Sequence, residues 1–255
     1  MGMLKRLFGD RRGKTPSVPS VPEGERVYAI GDIHGRVDLL SDMHRMIMAD
    51  AEAAPDSRLS IVYLGDYIDR GLHSREVIDL LIDDPLPGFV SAHLLGNHEE
   101  FLIDFAESLS SARMWLYNGG DATLRSYGVE VPEIVRDDRD LAEARDTLFR
   151  AMPVRHLEFL RSLRLCHEVG DYFFVHAGVR PGVALHRQKP EDLTWIREDF
   201  LSSTADFGRV VVHGHSVSRD VEMLANRIGI DTGAYASGML SCLVLQGTDR
   251  WILQT

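Results

Sequence analysis

Polar side chains follow three apolar, strand-like runs in the first hundred residues, each directly after a glycine. The three segments are GDIHG at 31–35, GDYIDRG at 65–71 and GNHE at 96–99. Because ligands collect at the carboxyl ends of strands in sheets wound from strand–helix units, we expect the three segments to meet in space. Carboxylate, amide oxygen and imidazole are ligands suited to Mn, Fe or Zn. The sequence therefore predicts a transition-metal site.

Two later segments extend this pattern, VHAG at 175–178 and HGHS at 213–216, each after another apolar run. A single Gly-Asp pair after a strand is ordinarily turn chemistry, and a single buried His is ordinarily a hydrogen-bonded structural residue. That interpretation does not account for five such segments in one chain. The set as a whole predicts a two-metal site for phosphate ester chemistry.

The five segments together resemble the phosphoprotein phosphatase family of the calcineurin-like metallophosphoesterases, from about Arg26 to Leu245. Three further stretches, WLYNGG at 115–120, WIRE at 195–198 and IDTGA at 230–234, are similar to the small bacterial and bacteriophage lambda type. The resemblance implies an α/β fold with two mixed β-sheets packed face to face and flanked by helices. It also implies a metal-dependent phosphoric ester hydrolase with its site at one edge of the sheets.

Six metal ligands follow from the resemblance. One metal is expected on Asp32 and His34, the other on Asn97, His176 and His215, with Asp66 bridging both. Two divalent ions roughly 3.5–4 Å apart need a shared anionic ligand to relieve their repulsion, and a water between them loses a proton near neutral pH. The resulting hydroxide attacks phosphorus in line. The expected cofactor is two divalent transition metal ions per chain, Mn first, with Fe or Zn as alternatives.

The resemblance also supplies the remaining catalytic roles. Arg70 and Arg197 match the family's phosphate clamps, and Asn97 is expected beside the same phosphate. His98 matches the general acid, and Asp69 matches the carboxylate that orients it and keeps it protonated. For each arginine the alternative is a surface salt bridge.

Several further polar residues are weaker candidates. Glu99 and Asp231 are expected to support ligands, because the assigned metal sites leave no position for them. His213 and His215 share one face of a strand, so spacing alone cannot choose between them. The resemblance favours His215, and His213 stays open as a phosphate contact or a support for a ligand. His73 is expected at the pocket rim.

The middle of the chain, from Glu100 to Leu163, is predicted to be mainly helical and to form a wall of the pocket. Trp115, Tyr117 and residues 118–120 are candidates for substrate contact. For Trp115 the alternative is a core residue, which is the commoner place for a large aromatic side chain at helical spacing.

Apolar periodicity indicates the elements that must position the site. Helical spacing follows the first segment at Val37, Leu40, Met43 and Ile47, and it follows the second at residues 77–82. Strand–helix–strand alternation predicts parallel pairing in the first half of the chain. Strands are predicted again at 172–175, 210–212 and 243–245.

Length and composition predict one large catalytic domain. The chain has 255 residues, of which 44% are apolar, with no uninterrupted run long enough to span a bilayer. Its two cysteines, Cys166 and Cys242, lie in apolar strand-like runs, as reduced buried thiols do. These features predict a soluble, cytoplasmic protein, and the family type points to a bacterial one.

Charge divides the chain into two parts. The net charge is −11, but residues 1–14 carry +4, which leaves −15 for the rest. An acidic body disfavours nucleic acid as a partner. Residues 15–24 form a Pro-punctuated linker, so a flexible leader over 1–24 and a catalytic domain over 25–255 are predicted. Residues 1–14 lack a secretory signal, and weak contact with a membrane surface is the alternative to a free tail.

Three functions are compatible with these motifs. The leading one is hydrolysis of phosphomonoesters on protein Ser or Thr, with broader specificity, so the partner is a phosphoprotein or a small phosphate ester. The second is hydrolysis of dinucleoside polyphosphates such as diadenosine tetraphosphate. Both reactions place the same phosphoryl group over the same metals, so the motifs do not separate them. The third, an inactive phosphate-binding module, is disfavoured because no ligand or acid position is missing.

Overall fold

Two five-stranded mixed sheets form the centre of the protein, in a computed structural model that describes residues 18–130 and 137–255. The first sheet has the spatial order β10 (Asp249–Gln254), β9 (Ser241–Gln246), β1 (Glu25–Ile30), β2 (Arg58–Tyr63) and β3 (Phe89–His93). The second has the order β4 (Cys166–Val169), β5 (Tyr172–Val175), β6 (Val210–His213), β8 (Arg227–Gly229) and β7 (Glu222–Met223). Strands β1, β2 and β3 run parallel, as do β5, β6 and β8. The predicted α/β class and the parallel first half are therefore confirmed.

Helices lie mainly between β1 and β4, as the sequence predicts. They are α1 (Val37–Ala51), α2 (Ser74–Asp83), α3 (Asn97–Glu107), α4 (Ala112–Trp115), α5 (Asp121–Ser126), α6 (Asp138–Ala151), α7 (Val154–Arg161), α8 (Pro190–Trp195), α9 (Glu198–Leu201) and α10 (Ala234–Ser237). A π-helical turn at Leu116–Gly120 joins α4 to α5, and a 3₁₀ turn at Leu185–Arg187 precedes α8.

Alternating side chains divide the core into layers. In β1, Val27 and Ala29 point between the sheets with Phe174 of β5, whereas Tyr28 and Ile30 belong to the layer under the helices. This alternation is the two-residue period of a strand that is buried on both faces. Burial of each large aliphatic side chain contributes about 1.5–3 kcal/mol, so both layers hold the strands in register.

The parallel strands bring their carboxyl ends to one edge of the two sheets. Asp32 lies two residues after β1, Asp66 three residues after β2, and Asn97 begins α3 just beyond β3. His176 directly follows β5, and His215 lies two residues after β6. The five sequence segments therefore meet at this edge.

The described end of the predicted linker packs against the sheets. The Val21 side chain is buried, and its N–H donates to the Gly247 carbonyl at 2.9 Å. The Ser20 N–H donates to the Asp171 carboxylate at 3.0 Å. A domain boundary at residue 25 thus stays a prediction, with contacts to the body beginning before it. The leader at 1–14 lies outside the described residues.

Both cysteines are free thiols. Cys242 is buried as expected, whereas Cys166 is only half-buried because it lies in β4 at the edge of the second sheet. Over the described part of the chain, no helix combines the length and apolar character needed to cross a membrane.

Candidate metal centre

Asp66 lies between two groups of imidazoles. Its Oδ2 is 3.5 Å from His34 Nε2, and its Oδ1 is 3.4 Å from His176 Nε2. Two sets of side chains among the described residues could each hold a metal ion, His34 with Asp66 and His98, and Asp66 with His176 and His215. Within each set the ligand atoms lie within 4.8 Å of one another. Asp66 is the shared member, which is the arrangement that a bridging ligand requires.

Backbone carbonyls orient two of these imidazoles. His34 Nδ1 lies 2.8 Å from the Ile68 carbonyl oxygen, and His176 Nδ1 lies 2.9 Å from that of Leu64. A carbonyl only accepts, so each Nδ1 carries the proton and each Nε2 presents a lone pair toward Asp66. Histidines that bind metals commonly donate their second ring N–H in this way.

The donor set fits a divalent transition metal. His215 Nε2 is buried and has no hydrogen-bond partner within the described structure, although buried polar atoms are ordinarily paired. Burial, reinforced by the neighbouring His176, lowers the pKa of His215 to about 2. Burial also lowers the pKa of His34 and of His176. Neutral imidazoles around an ionised carboxylate are the protonation states that metal binding needs.

Glu99 holds the backbone that carries Asp66. Its fully buried carboxylate accepts the N–H groups of Asp66 and Tyr67, both at 2.8 Å, and that of Gly96 at 3.0 Å. Asp66 has a φ of 52°, a left-handed conformation that is unfavourable for a residue with a side chain. Glu99 therefore connects the second and third sequence segments, which agrees with the supporting role expected for it.

Left-handed backbone is concentrated at this site. The non-glycine residues with positive φ in the described part of the chain are His34, Asp66, Asp69, Arg70 and His215. All of them are residues to which the sequence analysis gives a role. Such conformations cost of order 1–3 kcal/mol each and persist only where surrounding bonds enforce them.

His98 and Asp69 contact each other, as the predicted acid and its partner would. His98 Nδ1 is 2.6 Å from Asp69 Oδ2, and both side chains are buried. Burial lowers the pKa of His98, but the carboxylates of Asp66 and Asp69 outweigh it, so the pKa is raised overall. A raised pKa suits a group that must deliver a proton. His98 also belongs to the first metal-capable set, so the geometry alone leaves a ligand role open to it.

Three side chains fix Asp69. The Trp115 indole N–H donates to Asp69 Oδ2 at 2.8 Å, and the Thr123 hydroxyl donates to Oδ1 at 2.5 Å. The Asp69 N–H lies 3.0 Å from Ser74 Oγ. Trp115 is fully buried, which favours the core residue that the sequence analysis gave as the alternative, and its indole contacts Asp69. Sequence reasoning did not identify Thr123 or Ser74, because single hydroxyls in helical segments carry no pattern.

Arg70 has no carboxylate within ion-pair distance among the described residues. Its guanidinium lies 2.9 Å from His34 Nε2 and 3.2 Å from His98 Nε2, and its Cζ lies 4.7 Å above the centre of the Tyr235 ring. A guanidinium that has imidazole and aromatic contacts but no carboxylate keeps its charge uncompensated, which suits phosphate binding. Tyr235 was also missed, since it only follows the IDTGA stretch and carries no motif signal.

Arg197 and His73 are exposed side chains for which the sequence analysis predicts positions at the edge of the site. Arg197 is exposed at the start of α9, likewise without a carboxylate at ion-pair distance in the described structure, and its charge lowers the pKa of His215. His73 is half-exposed, and its N–H donates to the Gly35 carbonyl at 3.2 Å. The clamp role of Arg197 and the rim position of His73 are thus compatible with the geometry.

Asp32 belongs to neither metal-capable set. Its two carboxylate oxygens accept the His215 N–H at 3.0 and 3.1 Å. The buried Asp231 carboxylate lies beside it, and burial raises the pKa of Asp231 to about 6. The role of Asp32 as a ligand therefore stays a prediction, and Asp231 has the supporting position expected of it.

Asn97 and His213 have different surroundings. Asn97 Oδ1 lies 3.0 Å from His176 Nε2, which places the amide at the second metal-capable set. The His213 ring packs edge-on against Phe200, with ring centres 5.0 Å apart, and belongs to neither set. His215 is therefore the member of this pair that the structure brings to Asp66.

Comparisons with known proteins relate this chain to phosphoesterases. A family model described as calcineurin-like phosphoesterase matches residues 25–238. Serine/threonine-protein phosphatase 2 of Salmonella typhimurium is 29% identical over 84% of this chain and 90% of its own length. The asymmetrical bis(5'-nucleosyl)-tetraphosphatase PrpE of Bacillus cereus is 26% identical over 84% of this chain and 88% of its own length. The solved structure of a cold-active protein tyrosine phosphatase has a TM-score of 0.57 at 18% identity, covering 93% of this chain and 80% of that one.

Proposed function

Because the chain belongs to the calcineurin-like phosphoesterase family, we propose that this metal-dependent phosphoric ester hydrolase acts on phosphomonoesters of proteins, chiefly phosphoserine and phosphothreonine. The observation that carries the proposal is the Asp66 carboxylate shared by two imidazole sets beside Arg70, a cation without a carboxylate partner in the described structure. The similarity to serine/threonine-protein phosphatase 2 of Salmonella typhimurium supports the choice of substrate.

Each residue then has a chemical task. When bound, two divalent ions supply a nucleophile at neutral pH and neutralise charge on the phosphate. Asp66, His34, His176 and His215 would hold them, together with Asp32 and Asn97. Asn97 would also lie beside the substrate phosphate. The ions are expected to be Mn, with Fe or Zn as alternatives.

The remaining groups handle the phosphate and the proton. Arg70 and Arg197 would bind phosphate oxygens as forked donors. As Arg70 turns to the phosphate it leaves His98 Nε2, which it now contacts at 3.2 Å. That nitrogen would then carry the proton for the leaving oxygen, with Asp69 holding Nδ1 at 2.6 Å. The proton goes to the serine or threonine alkoxide, which departs as the alcohol.

A second candidate is hydrolysis of dinucleoside polyphosphates. The similarity to the tetraphosphatase PrpE of Bacillus cereus favours it, at nearly the same coverage of this chain. The phosphoanhydride would use the same ions and clamps, while its phosphate leaving group needs the acid less than an alcohol does.

Metal content tests the proposed centre. We expect two transition metal ions per chain by elemental analysis of an active sample, loss of activity with a chelator and its return with Mn. An active sample that contains one ion or none would contradict the two-metal site.

Substrate choice requires parallel assays of one metal-loaded preparation. Phosphoserine and phosphothreonine peptides, an aryl phosphate and diadenosine tetraphosphate are compared by kcat/KM. We expect the phosphopeptides to exceed diadenosine tetraphosphate, and the reverse order would replace the first function by the second.

A further inference from the structure

Three exposed apolar side chains lie on the two chain segments that meet at Arg70 and Gly119, where the Arg70 N–H donates to the Gly119 carbonyl. Leu72 is 64% exposed, Met114 is 58% exposed and Tyr117 is 88% exposed. We call these three residues the apolar rim. Exposed apolar side chains scattered singly are ordinary, but apolar side chains grouped at the edge of a site mark contact with a ligand.

The chain path connects the apolar rim to Arg70. The Arg70 N–H donates to the Gly119 carbonyl at 3.1 Å, and a Cβ on Gly119 would lie 2.8 Å from Arg70 Cγ. Gly119 has a φ of 102°, so the π-helical turn bends here with its carbonyl toward the clamp. Leu72 lies two residues after Arg70, and Tyr117 lies two residues before Gly119. The rim is therefore continuous with the proposed phosphate site.

Hydrogen bonding inside the π-helical turn leaves the rim apolar. The Asn118 side-chain amide donates to the Met114 carbonyl at 2.8 Å, so this amide is bonded back to the preceding helix. An aliphatic chain, a thioether and a phenol ring then face solvent. Such a surface accepts aliphatic or aromatic side chains of a peptide. A nucleobase can also stack on the Tyr117 ring, so the test below includes diadenosine tetraphosphate.

We propose that the apolar rim binds an apolar side chain next to the phosphorylated residue of a peptide substrate. The inference rests on the proposed phosphoprotein phosphatase function and adds a preference to it. Residues of an extended peptide are about 3.3–3.6 Å apart, so a neighbour one to three positions from the phosphoserine reaches a surface two residues from Arg70. An apolar neighbour is thereby partly removed from water, which lowers KM for peptides that contain it.

The test uses metal-loaded full-length protein and two phosphoserine peptides that differ only in the flanking residues, Leu and Phe in one and Ser in the other. An aryl phosphate and diadenosine tetraphosphate are measured in parallel. The variants are Tyr117→Ser and Leu72→Ser, with Tyr117→Phe as the conservative form. Val154→Ser is the matched control, because Val154 is 73% exposed and adjoins Arg155, which pairs with Asp83 at the end of α2 remote from the site.

We expect the wild-type protein to prefer the Leu/Phe peptide. Each Ser variant should lose about tenfold in kcat/KM for that peptide, equivalent to ~1.4 kcal/mol, and the loss should appear as a higher KM. Values for the Ser peptide and the aryl phosphate should change by less than about twofold, as should every value for Tyr117→Phe and Val154→Ser.

Three results would overturn the inference. Equal loss on the aryl phosphate would mean that the rim only supports Arg70, and unchanged peptide kinetics would mean that it makes no contact. Loss confined to diadenosine tetraphosphate would assign the rim to a nucleobase. If the wild-type protein hydrolyses neither peptide, the proposed function itself is refuted. The wild-type assay is therefore done before the variants are tested.

Discussion

His98→Asn separates the acid from the metal ligands. His98 contacts Asp69 through Nδ1 at 2.6 Å, and its Nε2 lies 3.8 Å from Asp66 Oδ2, within the first metal-capable set. The two roles are therefore both geometrically available to one side chain. Asparagine cannot donate an acidic proton, yet it retains the backbone N–H that donates to Asp66 Oδ1 at 3.1 Å. The variant thus keeps Asp66 in position while removing the imidazole.

The size of the effect follows from the role. A positioned general acid contributes roughly 10²–10⁴ in rate, or about 3–5.5 kcal/mol of activation free energy. We expect this loss in kcat on phosphoserine, whose alkoxide leaving group needs the proton. An aryl phosphate, with a far more acidic leaving group, should lose much less. Two metal ions should remain bound.

Asp69→Asn is the matched comparison. The amide oxygen can still accept from His98 and Trp115, while the amide N–H groups face the Thr123 hydroxyl, so geometry is retained and only charge is lost. A hydrogen bond to a charged group is worth about 1.5–3 kcal/mol, roughly 1 kcal/mol more than a neutral one. We therefore expect a loss of about tenfold, smaller than that of His98→Asn and with the same dependence on leaving group.

The assay combines elemental analysis with steady-state kinetics on phosphoserine and on aryl phosphates of graded leaving-group acidity. In wild type the rate should depend weakly on the leaving group, and in His98→Asn steeply. Loss of one metal ion would make His98 a ligand, and an equal loss of rate on every substrate would refute the acid assignment. Unchanged phosphoserine turnover would remove it from the reaction altogether.

Four further predictions concern other parts of the molecule. Asp66→Asn should weaken the binding of both metal ions together, since each carboxylate oxygen faces a different imidazole set. If elemental analysis shows the loss of only one ion, the shared role is contradicted. Glu99→Gln should reduce metal affinity by about 10–100-fold in a competition titration, because an amide cannot accept N–H groups on both of its ends as the carboxylate does; unchanged affinity would limit Glu99 to a core role. Burial lowers the pKa of His44 to about 4, below the ordinary value of 6.5, so the neutral imidazole is favoured in the folded state. The free energy of unfolding should therefore be at its maximum above pH 6.5 and fall by up to about 3 kcal/mol as the pH drops to 4. In unfolding measurements on metal-free protein, His44→Gln should lack this part of the pH dependence. Deleting residues 1–17 should leave aryl phosphate turnover unchanged, because every residue assigned to the site follows Gly31 and the deletion keeps the contacts of Ser20 and Val21 with the body; vesicle sedimentation of both forms tests the predicted membrane contact of residues 1–14.

Sequence reasoning located the elements well because its signals are local. The apolar runs before Asp32, Asp66 and Asn97 are strands, and the helical spacing after them forms α1 and α2. Covalent proximity fixes these relations, since a residue just after a strand must lie at the end of that strand. Parallel pairing then brings the strand ends together.

Contacts between distant segments were not predictable in the same way. Thr123 reaches Asp69 across 54 residues, and nothing in the helical pattern around Thr123 distinguishes its hydroxyl from a solvated one. The same holds for Tyr235, whose ring meets Arg70 only because α10 and the second segment end at one edge. The side-chain direction of Asp32 also depends on such contacts, namely the His215 N–H and the neighbouring Asp231.

The strained backbone explains why these distant contacts matter. Asp69 and Arg70 are consecutive residues with φ of 71° and 67°, and each is held by a partner from the helical segment at 115–126. Their left-handed turn brings the Asp69 carboxylate to His98 Nδ1 and the Arg70 guanidinium to the Nε2 atoms of His34 and His98, beside the proposed phosphate site. The strain of order 1–3 kcal/mol per residue would otherwise relax by rotation of the backbone, which would separate acid partner and clamp. The helical middle of the chain, which provides no assigned metal ligand, therefore stabilises the arrangement on which the proposed chemistry depends.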